Sequence, residues 1–125
     1  MIYLLDTLTL LWWFSSPLIL SKKAHDIIAD GNNTILISSV STWEIAIKKS
    51  LGKLTVPDTI FSLIHHESFT ELPITIEHTE ALLKLPHHHT DPFDRLLVAQ
   101  ALVEKVPIIS RDKMLTKYKI TVVVA

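Results

Sequence analysis

Four acidic residues either follow a predicted strand or lie in the first turn of a predicted helix, although they are spread over most of the 125-residue sequence. Asp6 directly follows the apolar run IYLL, and Asp112 follows Ile108-Ile109 after two further residues. Glu44 and Asp94 fall in the predicted first turns of two helices. In an open parallel sheet, ligands bind beyond the carboxyl ends of the strands, where helix N-termini also point. We therefore predict that the four carboxylates converge at one edge of a sheet.

Carboxylates that converge in this way repel one another unless a cation lies between them. Mg²⁺ prefers oxygen ligands, and it usually takes one or two carboxylates together with waters and substrate phosphate oxygens. Two such ions about 4 Å apart can clamp an in-line displacement at a phosphodiester without any covalent role for the acids. The acidic set therefore indicates metal-assisted phosphodiester hydrolysis.

Each acid also has a structural interpretation as a helix cap. Ser41-Thr-Trp-Glu44 matches a capping box, in which the Glu44 side chain would reach back to the amide of Ser41. Asp6 and Asp112 could cap the helices that follow them, and the helix dipole favours acids in a first turn. Asp91, which directly precedes a proline, is interpreted as a cap alone. Taken singly the other four favour a structural role, and only their number at one edge favours a metal site.

The order of apolar segments predicts an α/β fold. The expected strands cover residues 2–5, 34–38, 71–74, 108–109 and 120–124, and the expected helices cover 8–14, 41–52 and 91–104, with others beginning at 21 and 57 and near 81. The strands are continuous apolar runs, which is typical of a parallel sheet covered on both faces. We predict a three-layer α/β/α fold with a central, mainly parallel sheet, in a single domain of residues 1–125.

Composition limits the possible classes of protein. Hydrophobic residues make up 48% of the chain, which argues against disorder, and the absence of cysteine excludes disulfides, thiolate metal sites and cysteine nucleophiles. The absence of cysteine also fits a cytoplasmic location. The apolar segment 8–20 is interrupted by Ser15, Ser16 and Pro17, so a buried helix is expected there and no membrane span. With a net charge of −1, any nucleic acid would be held through metal ions and local basic residues.

Four segments resemble the PIN-domain ribonucleases and occur in the order of that family. They are YLLDT at residues 3–7, SSVSTWEIAIKKSLGKL at 38–54, DPFDRLLVAQA at 91–101 and IISRD at 108–112. The third segment, together with WEI at 43–45, is the most specific. The likeness extends over nearly the whole chain and is greatest to the VapC-like toxins of bacterial toxin–antitoxin modules.

The resemblance implies an endoribonuclease that depends on Mg²⁺ or Mn²⁺, with RNA as substrate, an antitoxin protein as partner and a homodimeric state. The acidic site of the family, with its metal ligands and catalytic groups, falls on Asp6, Glu44, Asp94 and Asp112. Ser110 stands where the family often has a hydroxyl that hydrogen-bonds these acids. Relatives commonly carry histidine two residues after the first acid, whereas this sequence has Leu8. That difference leaves the metal ligands intact and affects a substrate or partner contact.

Several other residues allow two interpretations. His87, His88 and His89 could bind a metal ion, but adjacent histidines cannot all face one ion, so a solvated loop is favoured. Trp43 is expected in the core. The roles of two groups of side chains are not decided by the sequence. Basic residues near the acids could hold RNA phosphates or form ion pairs (Lys48, Lys49, Arg95 and Arg111).

An aromatic run on the first helix could stack on bases or form an interface with a second copy or an antitoxin, and the interface is favoured because exposed apolar patches usually mark partner sites (Trp12, Trp13 and Phe14).

Other functions also place acids after the first strand. A phospho-accepting receiver needs paired acids there, and a haloacid-type phosphatase needs Asp-x-Asp, whereas this chain has Asp6-Thr7-Leu8. A PIN-like module that binds RNA or protein without cleavage is the remaining alternative. Such a module would tolerate loss of the acids, whereas a nuclease would not.

Overall fold

A five-stranded parallel sheet forms the centre of the protein, for which the computed structural model describes residues 1–125. The strands are β1 (Ile2–Leu5), β2 (Thr34–Ser38), β3 (Thr70–Leu72), β4 (Ile108–Ser110) and β5 (Val122–Val124). The helices are α1 (Thr7–Ser15), α2 (Lys22–Ala29), α3 (Ser39–Ser50), α4 (Ile60–His66), α5 (Ile76–Ala81) and α6 (Pro92–Glu104). Short 3₁₀ segments cover Pro17–Ile19, Leu82–Lys84 and Lys113–Lys117. The strand order is β3-β2-β1-β4-β5, so the first strand of the chain is the central one.

Successive residues of the central strands enter two separate hydrophobic cores. Leu4 and Ile108, which pair across β1 and β4, pack with the buried residues of α6 on one face. Leu5 and Ile109 pack on the other face with α1, α2 and α4. Burial on both faces explains why these strands read as unbroken apolar runs, since helices cover both sides of the sheet. The predicted three-layer α/β/α fold is confirmed.

Local capping explains where several helices begin. The Ser21 hydroxyl accepts a hydrogen bond from the amide of Ala24 at 3.0 Å, which starts α2 as expected from the sequence. Asp91 accepts hydrogen bonds from the amides of Phe93 (2.8 Å) and Asp94 (3.2 Å), and Pro92 occupies the first helical position of α6. The predicted cap role of Asp91 is therefore confirmed.

The predicted start of α3 was wrong. This helix begins at Ser39, and its N-cap is Ser38, whose hydroxyl accepts from the amide of Val40 at 2.9 Å. Because the last residue of β2 is itself the cap, the helix begins without a loop, and Glu44 lies in its second turn. The expected capping box between Ser41 and Glu44 does not form.

Two further expectations were wrong, namely the burial of Trp43 and the start of the helix at residue 57. Trp43 is 48% exposed because it lies outside the buried stripe of α3, which includes the next two residues, Glu44 and Ile45. Helix α4 begins at Ile60, three residues after Pro57, and it directs Ile60 into the core while Phe61 remains exposed. Strands β3 and β5 are also shorter than predicted, at three residues each. None of the helices is both long enough and apolar enough to cross a membrane.

Candidate active site

One cavity of about 450 Å³ lies at the carboxyl edge of the sheet, and all four predicted acids line it. Asp6 follows β1, and Asp112 lies two residues beyond the end of the neighbouring strand β4. Glu44 comes from α3, which continues directly from β2, and Asp94 comes from the first turn of α6. Asp91 also borders this cavity, although the sequence assigned it only a cap. The structure therefore brings together carboxylates that are more than 100 residues apart in the chain.

Asp6 combines a structural role with a position in the cavity. One carboxylate oxygen accepts a hydrogen bond from the Thr9 amide at 2.9 Å and caps α1. The other oxygen accepts from the hydroxyl of Ser110, at the end of β4. That hydroxyl in turn accepts from the amide of Asp112 at 3.0 Å. Ser110 thus connects two acids of the cluster, in agreement with the position that the family resemblance assigned to it.

Burial raises the pKa of Asp6 above its usual range. Hydrogen bonds from Ser110 and Thr9 oppose this rise, because they stabilise the charged form of the carboxylate, and the nearby charge of Asp112 adds to it. A partly buried carboxylate that accepts hydrogen bonds on both oxygens keeps a fixed orientation. Such fixed orientation is what a cation-binding ligand needs.

Asp94 shows most clearly that negative charge is crowded in the cavity. Burial raises its pKa to about 6, the neighbouring Asp91 charge adds to that rise, and His89 opposes it. Glu44 and Asp112 add smaller repulsive contributions. A divalent cation among these oxygens would replace repulsion by attraction and hold the carboxylates in their charged form. The donor set and its unrelieved charge therefore fit a Mg²⁺ or Mn²⁺ ion.

Glu44 has a cationic partner inside the cavity. The Lys48 ammonium donates a hydrogen bond to its carboxylate at 2.6 Å, and this hydrogen bond raises the pKa of Lys48. Glu44 is 8% exposed, whereas the Lys48 side chain is 38% exposed and reaches toward solvent. Lys48 also lies over the ring of Phe93, 5.9 Å from its centroid. An ammonium in this position partly neutralises the acidic cluster and offers a contact for a bound phosphate.

The other basic residues divide between the cavity and the surrounding loops. Arg111 lines the cavity, where its guanidinium donates to the carbonyl of Ala125 at 2.9 and 3.0 Å and lies 4.6 Å from the ring centroid of Trp12. Arg95 donates to backbone carbonyls before α6, and Lys49 pairs with Asp58 at 2.9 Å. Neither of these two lines the cavity, so Lys48 and Arg111 are the stronger candidates for phosphate contacts.

His89 is a site residue that the sequence interpretation missed. The predicted solvated loop describes the exposed His87 but not His89, whose side chain is only 10% exposed. Its Nε2 lies 2.7 Å from the Asp112 carboxylate. Three possible metal-binding atoms, one each from His89, Asp94 and Asp112, lie within 4.8 Å of one another. The one available signal was its place two residues before the cap of α6.

Helix α1 divides its aromatic residues among different neighbours. Trp12 borders the cavity beside Arg111, whereas Trp13 donates a hydrogen bond to Glu67 at 3.4 Å and Phe14 packs against Phe69. All three rings are half-buried. Leu8, where relatives often have histidine, also lines the cavity and is 55% exposed. The predicted interface at this helix stays a prediction.

Comparisons with known proteins agree with this architecture. A family model described as PIN domain matches residues 3–120. No curated protein has a significant match to the sequence.

Among solved structures, VapBC2 from Rickettsia felis bound to a DNA fragment from the promoter is 18% identical, with a TM-score of 0.75 over 98% of this chain and 97% of the other. A toxin-antitoxin complex from Klebsiella pneumoniae is also 18% identical, with a TM-score of 0.65 over 98% and 96% of the two chains. VapBC-1 from nontypeable Haemophilus influenzae gives the same identity, TM-score and coverage. At these identities the likeness shows a shared fold.

Proposed function

Because the chain belongs to the PIN domain family, we propose that it is an endoribonuclease that depends on Mg²⁺ or Mn²⁺. The observation that carries this proposal is the convergence of Asp6, Glu44, Asp94 and Asp112 on one cavity at the carboxyl edge of the sheet. The family match covers residues 3–120, which supports a single nuclease domain over residues 1–125.

In this proposal Asp6 and Asp94 are the chief metal ligands, and Glu44 and Asp112 complete the site or orient the attacking water. A bound Mg²⁺ or Mn²⁺ would polarise the scissile phosphate and lower the pKa of a bound water. Ser110 would keep Asp6 in its orientation through the hydrogen bond between them. Lys48 and Arg111 would hold phosphates of the RNA backbone, which positions the substrate without reading its sequence.

The toxin role is the second part of the proposal. The similar solved structures are VapBC2 from Rickettsia felis, VapBC-1 from nontypeable Haemophilus influenzae and a toxin-antitoxin complex from Klebsiella pneumoniae, which supports a cytoplasmic toxin with an antitoxin protein as partner. The surface around α1 fits such a partner or a second copy in a homodimer. It carries the exposed side chains of Leu8, Leu18 and Ile19 beside its half-buried aromatics, and apolar patches of this kind usually mark contact sites.

A cleavage assay on RNA with Mg²⁺ or Mn²⁺ tests the nuclease. We expect EDTA to abolish cleavage, and we expect Asp94→Asn to lower its rate by at least about a hundredfold, because loss of a charged ligand removes electrostatic stabilisation of the transition state. The matched control is Asp58→Asn, which changes an acid whose side chain is 97% exposed and which does not line the cavity.

Equal cleavage by wild type, wild type with EDTA and Asp94→Asn would exclude the mechanism. RNA binding that survives without any cleavage, in wild type and variant alike, would identify a non-catalytic module instead. Expression in bacteria tests the toxin separately. Growth arrest by wild type but not by Asp94→Asn, relieved by the product of a neighbouring gene, is the expected result, and normal growth with an active nuclease would refute the toxin role alone.

A further inference from the structure

His89 brings a nitrogen donor to a cavity in which the proposed metal ligands are all oxygens. Its side chain is 10% exposed, and it reaches the cluster from the loop before α6. Building on the proposed function, we propose that His89 Nε2 is a metal ligand together with Asp94 and Asp112, and that this part of the site binds a transition-metal ion such as Co²⁺ or Zn²⁺ in preference to Mg²⁺.

The distances in the cluster agree with a shared ion. Metal–oxygen bonds of about 2.1 Å place neighbouring donors of an octahedron about 3 Å apart and opposite donors about 4.2 Å apart. Donor atoms of His89, Asp94 and Asp112 lie within 4.8 Å of one another, and the Nε2 of His89 is 2.7 Å from an oxygen of Asp112. Small side-chain rotations would therefore bring all three donors to bonding distance of one ion.

Tyr118 holds the imidazole in an orientation that suits a ligand. Its hydroxyl lies 3.0 Å from Nδ1 of His89 and accepts a hydrogen bond from the His89 amide at 3.1 Å. The two rings are stacked, with centroids 5.6 Å apart and an angle of 15° between their planes. A hydroxyl oxygen has two lone pairs, so Tyr118 can accept from Nδ1–H as well as from the amide.

With the proton on Nδ1, the lone pair of Nε2 faces the two carboxylates. Metal-binding histidines usually donate their other ring N–H to an acceptor in this manner, which fixes both the tautomer and the orientation of the ring. Tyr118 supplies that acceptor independently of Asp112. The ring would therefore keep its place when an ion replaces the proton that lies between Nε2 and Asp112.

The nitrogen donor determines which ion is preferred. Mg²⁺ is bound through oxygens and retains its waters, whereas imidazole favours later divalent metals, with affinity increasing from Mn²⁺ through Co²⁺ and Ni²⁺. An all-oxygen site built from Asp94 and Asp112 would favour Co²⁺ over Mg²⁺ by less, because the later metals gain more from a nitrogen donor than from an oxygen donor. The size of the selectivity for Co²⁺ over Mg²⁺ is therefore the property that depends on His89.

Titration calorimetry of the metal-free protein with Co²⁺ and with Mg²⁺ tests the proposal. We expect His89→Ala to weaken Co²⁺ binding by at least about tenfold and to change Mg²⁺ binding by less than about threefold, since Mg²⁺ gains little from the imidazole. His87→Ala is the matched control, because it removes an exposed histidine from the same loop and should leave both affinities unchanged. Asp94→Asn should weaken binding of both ions.

A second measurement gives a result on the wild-type protein alone, so it is unaffected by any folding defect of His89→Ala. Electron spin-echo spectra of bound Mn²⁺ show nitrogen modulation when an imidazole is a ligand, and we expect this modulation in wild type and His87→Ala but not in His89→Ala. Metal binding that requires Asp94 but shows no nitrogen modulation would overturn the inference and leave the proposed nuclease intact. Absence of any divalent-ion binding would overturn both.

Discussion

At the scale of single residues, Asp94 makes folding of the metal-free protein depend on pH. Burial and the charge of Asp91 raise its folded-state pKa to about 6, from an ordinary value of 3.8. The folded protein therefore holds this proton more tightly than the unfolded chain does. The tighter binding of this proton therefore adds to the free energy of unfolding at low pH, and this contribution is lost as the pH rises from about 4 to about 6.

We expect Asp94→Asn to become stabilising relative to wild type as the pH rises through this range in the presence of EDTA. Asparagine keeps the size of the side chain and removes the charge that the neighbouring carboxylates repel. Replacing a functional residue in this way commonly increases the stability of the protein. Urea unfolding at pH 4 and at pH 7 measures the difference in the free energy of unfolding between variant and wild type.

Asp58→Asn provides a control whose effect does not depend on pH in this range. The hydrogen bond from Lys49 holds the pKa of Asp58 below its usual value of 3.8, so its charged form favours folding above that pH and the contribution is lost only at more acidic pH. The difference in the free energy of unfolding between Asp58→Asn and wild type should therefore change little from pH 4 to pH 7. A difference between Asp94→Asn and wild type that stays constant from pH 4 to pH 7 would contradict the assignment of crowded charge to Asp94.

The sequence predicted the acids of the cavity but not His89, and the reason lies in how each is positioned. Asp6 and Asp112 lie next to strand ends, so the order of strands alone places them at one edge. His89 is positioned by stacking on Tyr118, 29 residues away, within a loop. Sequence patterns over a few neighbouring residues do not predict a contact of this kind. Glu44 was placed in the correct cavity for a partly wrong reason, because its helix begins earlier than predicted.

At the scale of elements, Asp91 has two roles at the start of α6, as the cap of the helix and as a source of negative charge in the cavity. Its carboxylate caps the helix through the amides of Phe93 and Asp94, and its charge raises the pKa of Asp94. Asparagine keeps an oxygen for the cap but removes the charge, whereas alanine removes both. The two substitutions therefore distinguish a cap from an acid that takes part in the site.

We expect Asp91→Ala to lower the free energy of unfolding by about 1 kcal/mol, the usual loss for an N-cap, and Asp91→Asn to lower it much less. If Asp91 is only a cap, Asp91→Asn should also retain RNA cleavage with Mg²⁺. Urea unfolding and the cleavage assay measure the two effects on the same protein samples. Equal destabilisation by both substitutions would show that the hydrogen bonds of the cap contribute little.

Elements with strong local signals were the most predictable. The unbroken apolar runs of β1 and β2 and the cap of α6 gave bounds that agree closely with the structure. Helix α4 has no side-chain hydrogen bond at its cap, and proline three residues earlier gave a misleading start. The sequence correctly places Ile60 on the inner face of α4, but it contains no local signal for the residue at which the helix begins.

At the scale of the whole molecule, a net charge of −1 limits how RNA can be held. Because the chain has no excess of basic residues, we expect electrostatic binding to rest on the two cations that line the cavity, Lys48 and Arg111. Each phosphate contact with single-stranded RNA lowers the logarithm of the binding constant by about 0.7 per tenfold rise in salt. Two contacts should therefore give a slope of about −1.4.

Binding of single-stranded RNA to Asp94→Asn in EDTA, measured by fluorescence anisotropy between 50 and 300 mM salt, tests this prediction without cleavage. Lys48→Ala in that background should reduce the slope by about 0.7, whereas Lys49→Ala, which changes a lysine outside the cavity, should leave it unchanged. A slope several times steeper would show that RNA covers basic residues elsewhere on the surface.

The pairing of β1 with β4 also has a consequence during synthesis on the ribosome. Asp6 and Ser110, which join the two strands at the edge of the cavity, are 104 residues apart. Strand β1 can pair with β2 soon after synthesis, but its pairing with β4 has to wait until about a hundred further residues have been translated, and pairings at such separation form slowly. In a nascent chain, the proposed nuclease site would therefore stay incomplete, and the encoding messenger uncut, until β4 has left the exit tunnel.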